Sequence, residues 1–359
     1  MKALITAVDL QDRESPLAPQ LEEFAALARA AGAVIVGEVV QKMPRVNAAT
    51  MFGAGKVHEI AETAKELGAE IVFVYNDLRP RQRTNLEKVI PVQIVDRTML
   101  ILDVFAQHAR SREGKLQVEL AQLRYSQANL IGASTELSRL GGGIGTRGPG
   151  ETKLETDRRK IQRRITTLRG ALEDVRTQRA NRRMSGGREP LVALVGYTNA
   201  GKSSLLNRLT SAKDAFVADQ PFATLDPMVR RAWVAQDQTI RLADTVGFIT
   251  KLPEELVNAF RATLEELESA SLLVHVIDAS NPDWQRQKKA VEATLDELGL
   301  SEKPVLAVYN KVDRAPKADS TPKDIPRDAF AVSALTGDGI AELRAALATR
   351  TLEPVSSRA

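Results

Sequence analysis

The sequence predicts an α/β chain in three blocks: an N-terminal parallel α/β domain, a long antiparallel helical hairpin, and a second α/β domain of the P-loop NTPase type. Three observations predict it. Short β-rich runs alternate with helical stretches at both ends of the chain, two apolar stripes at helical spacing flank a glycine-rich loop, and a phosphate-loop pattern follows an apolar run ending at Gly196. The boundaries fall at 1–108, 109–188 and 189–350, with a short tail over 351–359.

In the first block ALITAV, AVIVGEVV, EIVFVY and VQIV are the strands, separated by helical stretches over 19–31, 55–67 and 80–90. A βαβα order requires crossover connections and therefore a parallel sheet with helices on its faces. FGAGKVHEI, residues 52–60, superficially resembles a phosphate loop, but Thr50 stands where the first glycine belongs and Val57 follows the lysine. The better reading is a glycine turn entering a helix.

In the second block Leu116, Leu120, Leu123 and Leu130, and then Ile161, Ile165, Leu168, Leu172 and Val175, recur at helical spacing, as two packed helices require. Between them LGGGIGTRGPG is too rich in glycine for regular structure. Charge concentrates here: residues 139–188 carry 14 Arg or Lys against five acids, although the whole chain is only +4. A one-signed, arginine-rich face off the apolar stripe points to contacts with a phosphate backbone, with Arg139, Arg147, Lys153, Arg158, Arg159, Arg163 and Arg164 as the candidates. No aromatic interleaves them, which argues against base stacking on the hairpin.

Composition excludes several classes. Without cysteine there are no disulfides, thiolate metal sites or thiol nucleophiles, and the three histidines, His58, His108 and His275, are too scattered for a zinc site. No apolar run approaches the roughly 20 residues of a membrane helix, and the start, MKALITAVDL, lacks the pattern of a secretory leader. A soluble, cytoplasmic monomer is expected.

The third block carries the chemistry. Gly196, Tyr197, Thr198, Asn199, Ala200, Gly201, Lys202 and Ser203 satisfy GxxxxGK[ST], between the apolar run LVALVG and the helical run SSLLNRLT that includes Ser204. Consecutive backbone N–H groups at a helix N-terminus suit phosphate oxygens; Lys202 would span the β- and γ-phosphates and Ser203 would ligate Mg²⁺. About 40 residues on, Asp244-Thr245-Val246-Gly247 ends another apolar run, which places Asp244 to hold Mg²⁺ through water and the Gly247 N–H near the γ-phosphate. Asn310-Lys311-Val312-Asp313 follows VLAVY. Guanine offers two adjacent donors that one carboxylate accepts together, so Asp313 selects guanine, Asn310 braces the loop and reaches N7, and the Lys311 stem covers the ring. Ser333, Ala334 and Leu335 follow the last strand, with the Ala334 N–H aimed at the guanine O6. Thr224 is the candidate γ-phosphate sensor and Mg²⁺ ligand, preferred to Thr210 in a helix and Thr239 in a strand. Together these motifs predict a GTPase that uses GTP, GDP and Mg²⁺. The catalytic group is not identified, because Phe248 stands where GTPases resembling Ras carry a glutamine; either a partner stimulates slow hydrolysis, or Phe248 packs and another group orients water.

Beyond these motifs the chain resembles the HflX family of ribosome-associated GTPases. The resemblance rests on FGAGKV at 52–57, Asp96-Arg97-Thr98, ILDVFA at 101–106, QVELAQL at 117–123, the loop GGGIGTRGPGETKLE at 141–155, and the phenylalanine after DTVG. It implies GTP-dependent binding to the large ribosomal subunit, GTP hydrolysis stimulated there, and separation of stalled or idle ribosomes under stress. Some members carry a further C-terminal domain; this sequence ends at Ala359, so that domain's contacts are not carried over. Two rival functions are a regulatory GTPase acting on a protein partner and an ATP-driven remodeller of RNA or ribosomes that uses the first block.

Overall fold

The computed structural model describes residues 1–11, 16–140, 149–184, 189–210, 222, 228–249, 266–314, 326 and 329–352, with backbone alone for 130–140, 149–154, 176, 179–184 and 352. The chain divides into two compact units, Met1–Gln107 with Lys115–Val175, and His108–Gly114 with Arg176–Ala359. The bulk of the hairpin thus groups with the N-terminal sheet.

In the first unit β1 (Lys2–Asp9), α1 (Leu17–Ala30), β2 (Val34–Lys42), α2 (Ala54–Glu66), β3 (Ile71–Val74), α3 (Pro80–Glu87) and β4 (Gln93–Asp96) follow the expected alternation. The strands form a parallel sheet in the order β2-β1-β3-β4. β3 is buried along its whole length, which is why its sequence is continuously apolar. Gly53 opens α2, and its N–H is taken by Gln41 Oε1 at 2.9 Å. Lys56 lies on the first turn of α2 and pairs with Glu59 at 2.7 Å, so FGAGK is a turn entering a helix. A further helix, α4 (Arg97–His108), starts directly at the end of β4 and was not expected.

Helices α5 (Arg112–Leu140) and α6 (Pro149–Met184) form the hairpin. Leu120, Ile165 and Leu168 are its buried seam, with Leu116, Leu123, Ile161 and Leu172 packed against them, as the stripes predict. Gln127 bonds Gln162 across the pair at 2.8 Å. α5 is pinned to the sheet by a buried network. Arg83 donates to Asp96 Oδ2 and to the Tyr125 hydroxyl, each at 2.7 Å, and Tyr125 also bonds Asp96. Asp96 is 1% exposed, so removing these partners would leave a buried carboxylate unpaired. Burial and the neighbouring carboxylate push the Tyr125 hydroxyl well above its ordinary range, which keeps it a donor. Gln122 reaches Asp103 on α4 at 3.3 Å.

The second unit contains β5 (Leu191–Gly196), α7 (Lys202–Thr210), β6 (Met228–Ala235), β7 (Gln238–Asp244), β8 (Leu272–Asp278), α8 (Trp284–Glu297), β9 (Val305–Asn310), β10 (Phe330–Ala331) and α9 (Ile340–Leu352). The sheet order is β10-β9-β8-β5-β7-β6, parallel throughout except for β6, which runs antiparallel to β7. α7 and α9 cover one face, where Leu205, Leu209, Leu343 and Leu347 meet Val192, Leu242 and Val274. α8 covers the other, with Val291 and Leu295 against Ala193 and Leu273.

His275 is buried in β8, and its burial pushes the imidazole down to about 4. Since the unfolded histidine titrates near 6.5, the folded state takes up its proton only at lower pH, and stability is lost as the pH falls through that window. Between pH 7.5 and 5 this group should cost about 2 kcal/mol. His275→Leu should remove that much of the difference in unfolding free energy between the two pH values. An unchanged pH slope in urea unfolding would refute the assignment.

Candidate nucleotide site

In open parallel sheets ligands bind beyond the carboxyl ends of the strands, where the strand order reverses. β5 lies between β7 and β8 at such a reversal, and Gly196, Asp244, Asp278 and Asn310 are the last residues of β5, β7, β8 and β9. The sheet therefore brings the three motifs to one edge.

The loop Gly196–Gly201 leads from β5 directly into α7, whose first residue is Lys202. Asn199 and Gly201 have φ of +60° and +90°. A side chain at Gly201 would be strained by its φ and would set Cβ 2.3 Å from Asn310 Nδ2, which accounts for glycine there. Lys202 is buried and donates to the carbonyls of Gly196 and Tyr197 at 3.1 and 2.9 Å. Burial brings its ammonium down to about 8, although Asp244 opposes the shift. An anionic phosphate beside it would restore full protonation.

Ser203 Oγ donates to Asp244 Oδ2 at 2.5 Å, and Asp244 is almost wholly buried. A hydroxyl and a carboxylate at this separation are the hard oxygen donors that Mg²⁺ prefers, with phosphates and water completing its shell. The described residues contain no group of three or more metal-ligating His, Cys, Asp or Glu side chains, and this kind of site requires none. Thr224 lies outside the described residues.

The DTVG segment is tied to the phosphate loop. Phe248 N–H donates to Gly196 O at 3.0 Å, and Thr198 N–H donates to Phe248 O at 2.8 Å. A Cβ on Gly247 would meet Thr198 Cα at 2.8 Å, so only glycine permits this approach. The Phe248 ring is 2% exposed and packs with Tyr197, Leu267 and Ala270. It serves packing and has no polar atom with which to orient water. The Thr245 hydroxyl, which the motif reading left without a role, donates to Leu194 O at 2.7 Å and anchors the segment to β5.

Asn310 joins the loops. Its Nδ2 donates to Ala200 O at 2.9 Å, and its Oδ1 accepts the Ala334 N–H at 3.0 Å. The Ala334 donor expected for O6 is thus engaged with Asn310 in this arrangement. Ser333 is fully buried and donates to Asp313 Oδ1 at 2.5 Å, which orients that carboxylate. Leu335 projects outward and is 73% exposed, and Ser204 lies half-buried in the first turn of α7. Lys311 pairs with Asp278, a residue that sequence reasoning passed over; a carboxylate closing a parallel strand was the available signal.

The phosphate-backbone candidates are only partly described. Arg147 lies outside the described residues, and only helical backbone is described at Arg139 and Lys153. Arg158 and Arg159 share Glu155 at 2.9 and 3.0 Å, while Arg164 grips Glu119 on α5 through two bonds of 2.6 and 2.8 Å. Arg163 has no ion pair among the described residues. Such exposed pairs are weak enough for a phosphate to exchange with the carboxylate.

Comparison with known proteins adds independent findings. Residues 18–106 match the family model described as GTP-binding GTPase N-terminal, 108–185 match GTP-binding GTPase Middle Region, and 191–311 match 50S ribosome-binding GTPase. The chain is 47% identical to the GTPase HflX of Lacrimispora saccharolytica over 95% of its own length and 81% of that protein. It is 47% identical to the GTPase HflX of Escherichia coli K12, over 92% of its own length and 78% of that protein. Among solved structures, the SsGBP complex with GDP shares 25% identity at a TM-score of 0.50, covering 98% of this chain and 99% of that one.

Asp313→Asn should exchange guanine for xanthine preference, because an amide presents a donor where the carboxylate accepted one. Competition between GDP and XDP for the purified variant measures it. A variant that still strongly favoured GDP would refute the assignment.

Proposed function

The chain belongs to the HflX family of GTPases, and from that membership we propose a nucleotide-controlled factor that binds the large ribosomal subunit and separates stalled or idle ribosomes under stress. It binds guanine nucleotide and hydrolyses GTP, the activity that its family and its P-loop domain carry. The observation that supports the ribosomal partner best is the junction, in one chain, of this domain to a hairpin whose stretch 139–188 holds 14 basic residues against five acids. The description of the matching domain family as a 50S ribosome-binding GTPase points the same way.

In this reading Asp313, oriented by Ser333, takes the guanine donors, Asn310 holds the base loop against the phosphate loop, and the stem of Lys311 covers the ring. The backbone N–H groups of residues 196–204 and the ammonium of Lys202 hold the phosphates. Lys202 exchanges its two carbonyl partners for phosphate oxygens on binding. Ser203 and Asp244, with Thr224, would hold Mg²⁺, which neutralises charge on the transferred phosphoryl group. The Gly247 N–H senses the γ-phosphate. Phe248 cannot orient the attacking water, so turnover depends on a group from elsewhere in the chain or from the ribosome. The factor acts in the cytoplasm as a monomer. Among the described residues no helix is long and apolar enough to cross a membrane.

Co-sedimentation with separated large and small ribosomal subunits tests the proposal. Binding to the large subunit with a non-hydrolysable GTP analogue, and much weaker binding with GDP, is expected. Equal binding in the two states, or none, would overturn it.

A further inference from the structure

Lys311 can cover a guanine ring only if its stem is held in one place, since a four-carbon chain ending in an ammonium has many rotamers. The structure supplies a tether. Asp278, the last residue of β8, accepts Lys311 Nζ on Oδ2 at 2.8 Å. Its other oxygen accepts the Ser280 N–H at 3.0 Å and the Ser280 hydroxyl at 2.6 Å. Both oxygens are thus assigned, and the side chains of Lys311 and Asp278 are only 16% and 13% exposed.

The backbone aligns the two residues. Asp278 stands opposite Asn310 in the β8–β9 ladder, and the Ala279 N–H donates to Asn310 O at 2.9 Å. Lys311 itself has a φ of +65°, a conformation that a non-glycine residue adopts only when its surroundings hold it there. Its stem runs beside the phosphate loop, with Cε 3.8 Å from where a Cβ on Gly201 would lie.

We propose that Asp278 is a positioning residue for guanine-nucleotide binding, which through its bond to Lys311 Nζ fixes the lysine stem as a wall against the face of the base. The proposal rests on the reading of Lys311 as the cover of the ring. A wall acts on the ring face and is indifferent to the base edge. Loss of Asp278 should therefore weaken all purine nucleotides alike, whereas loss of Asp313 changes which purine is preferred.

Calorimetric titration of GDP and IDP into the full chain and its Asp278→Asn, Lys311→Ala and double variants tests this. Asp278→Asn keeps an oxygen for Ser280 and removes the charge, and should weaken both nucleotides by about tenfold, because the freed lysine stem must then be ordered as the base binds. In the Lys311→Ala background the same change should have no further effect. Lys311→Met, which keeps a stem and loses the tether, should bind GDP as weakly as Asp278→Asn and gives the answer if the latter fails to fold. Wild-type affinity in Asp278→Asn or Lys311→Met would overturn the proposal. So would a loss from Asp278→Asn that is as large without Lys311 as with it, the mark of a merely structural role. Unchanged affinity in Lys311→Ala would instead refute the covering role of the lysine itself, and the proposal with it.

Discussion

The candidate nucleotide site depends on the side-chain amide of Asn310. It spans the carbonyl of Ala200 in the phosphate loop and the N–H of Ala334 after the last strand, and so ties loops from β5, β9 and β10 into one body. Each partner is a backbone group that no regular element satisfies, and leaving either unpaired would be costly. Gly201 lies so close to this amide that any side chain there would displace it. The loop after β5 and the loop after β9 thus set each other's position, and their separation is fixed by protein contacts alone.

Parallel sheets make such a junction possible because every strand delivers its last residue to the same edge. Gly196, Asp244, Asp278 and Asn310 each close a strand directly after a buried residue, Val195, Ala243, Ile277 and Tyr309, and that packing gives the end residues little freedom. The first unit uses the same architecture differently. The end of its β4 holds Asp96, and the bond from Tyr125 turns that strand end into an anchor for the hairpin. One fold principle therefore places a candidate ligand site in one unit and the anchor of a helix in the other.

Much of this was legible in the sequence. Strands buried on both faces read as continuous apolar runs, so EIVFVY and LVALVG announced themselves, and the glycine-lysine-serine pattern located the phosphate loop between a strand and a helix. α4 escaped because it follows β4 with no turn residue between, and because burial of Arg97, Thr98 and most of its apolar residues leaves no polar face to give a helical period. Contacts across the fold also escaped. Lys311 and Asp278 lie 33 positions apart, and only strand pairing brings them together. The hairpin's arginines read as one-signed because Glu119, the partner of Arg164, lies on the other helix, where the register of the pair alone places it.

The central claim about the candidate site is that the Asn310 amide couples the phosphate loop to the base loop. GDP affinity of Asn310→Ala, measured calorimetrically beside the unchanged chain, tests this most directly. A fall of at least about tenfold is expected, because the untied loops must then be ordered as the nucleotide binds. GDP affinity equal to that of the unchanged chain would contradict it.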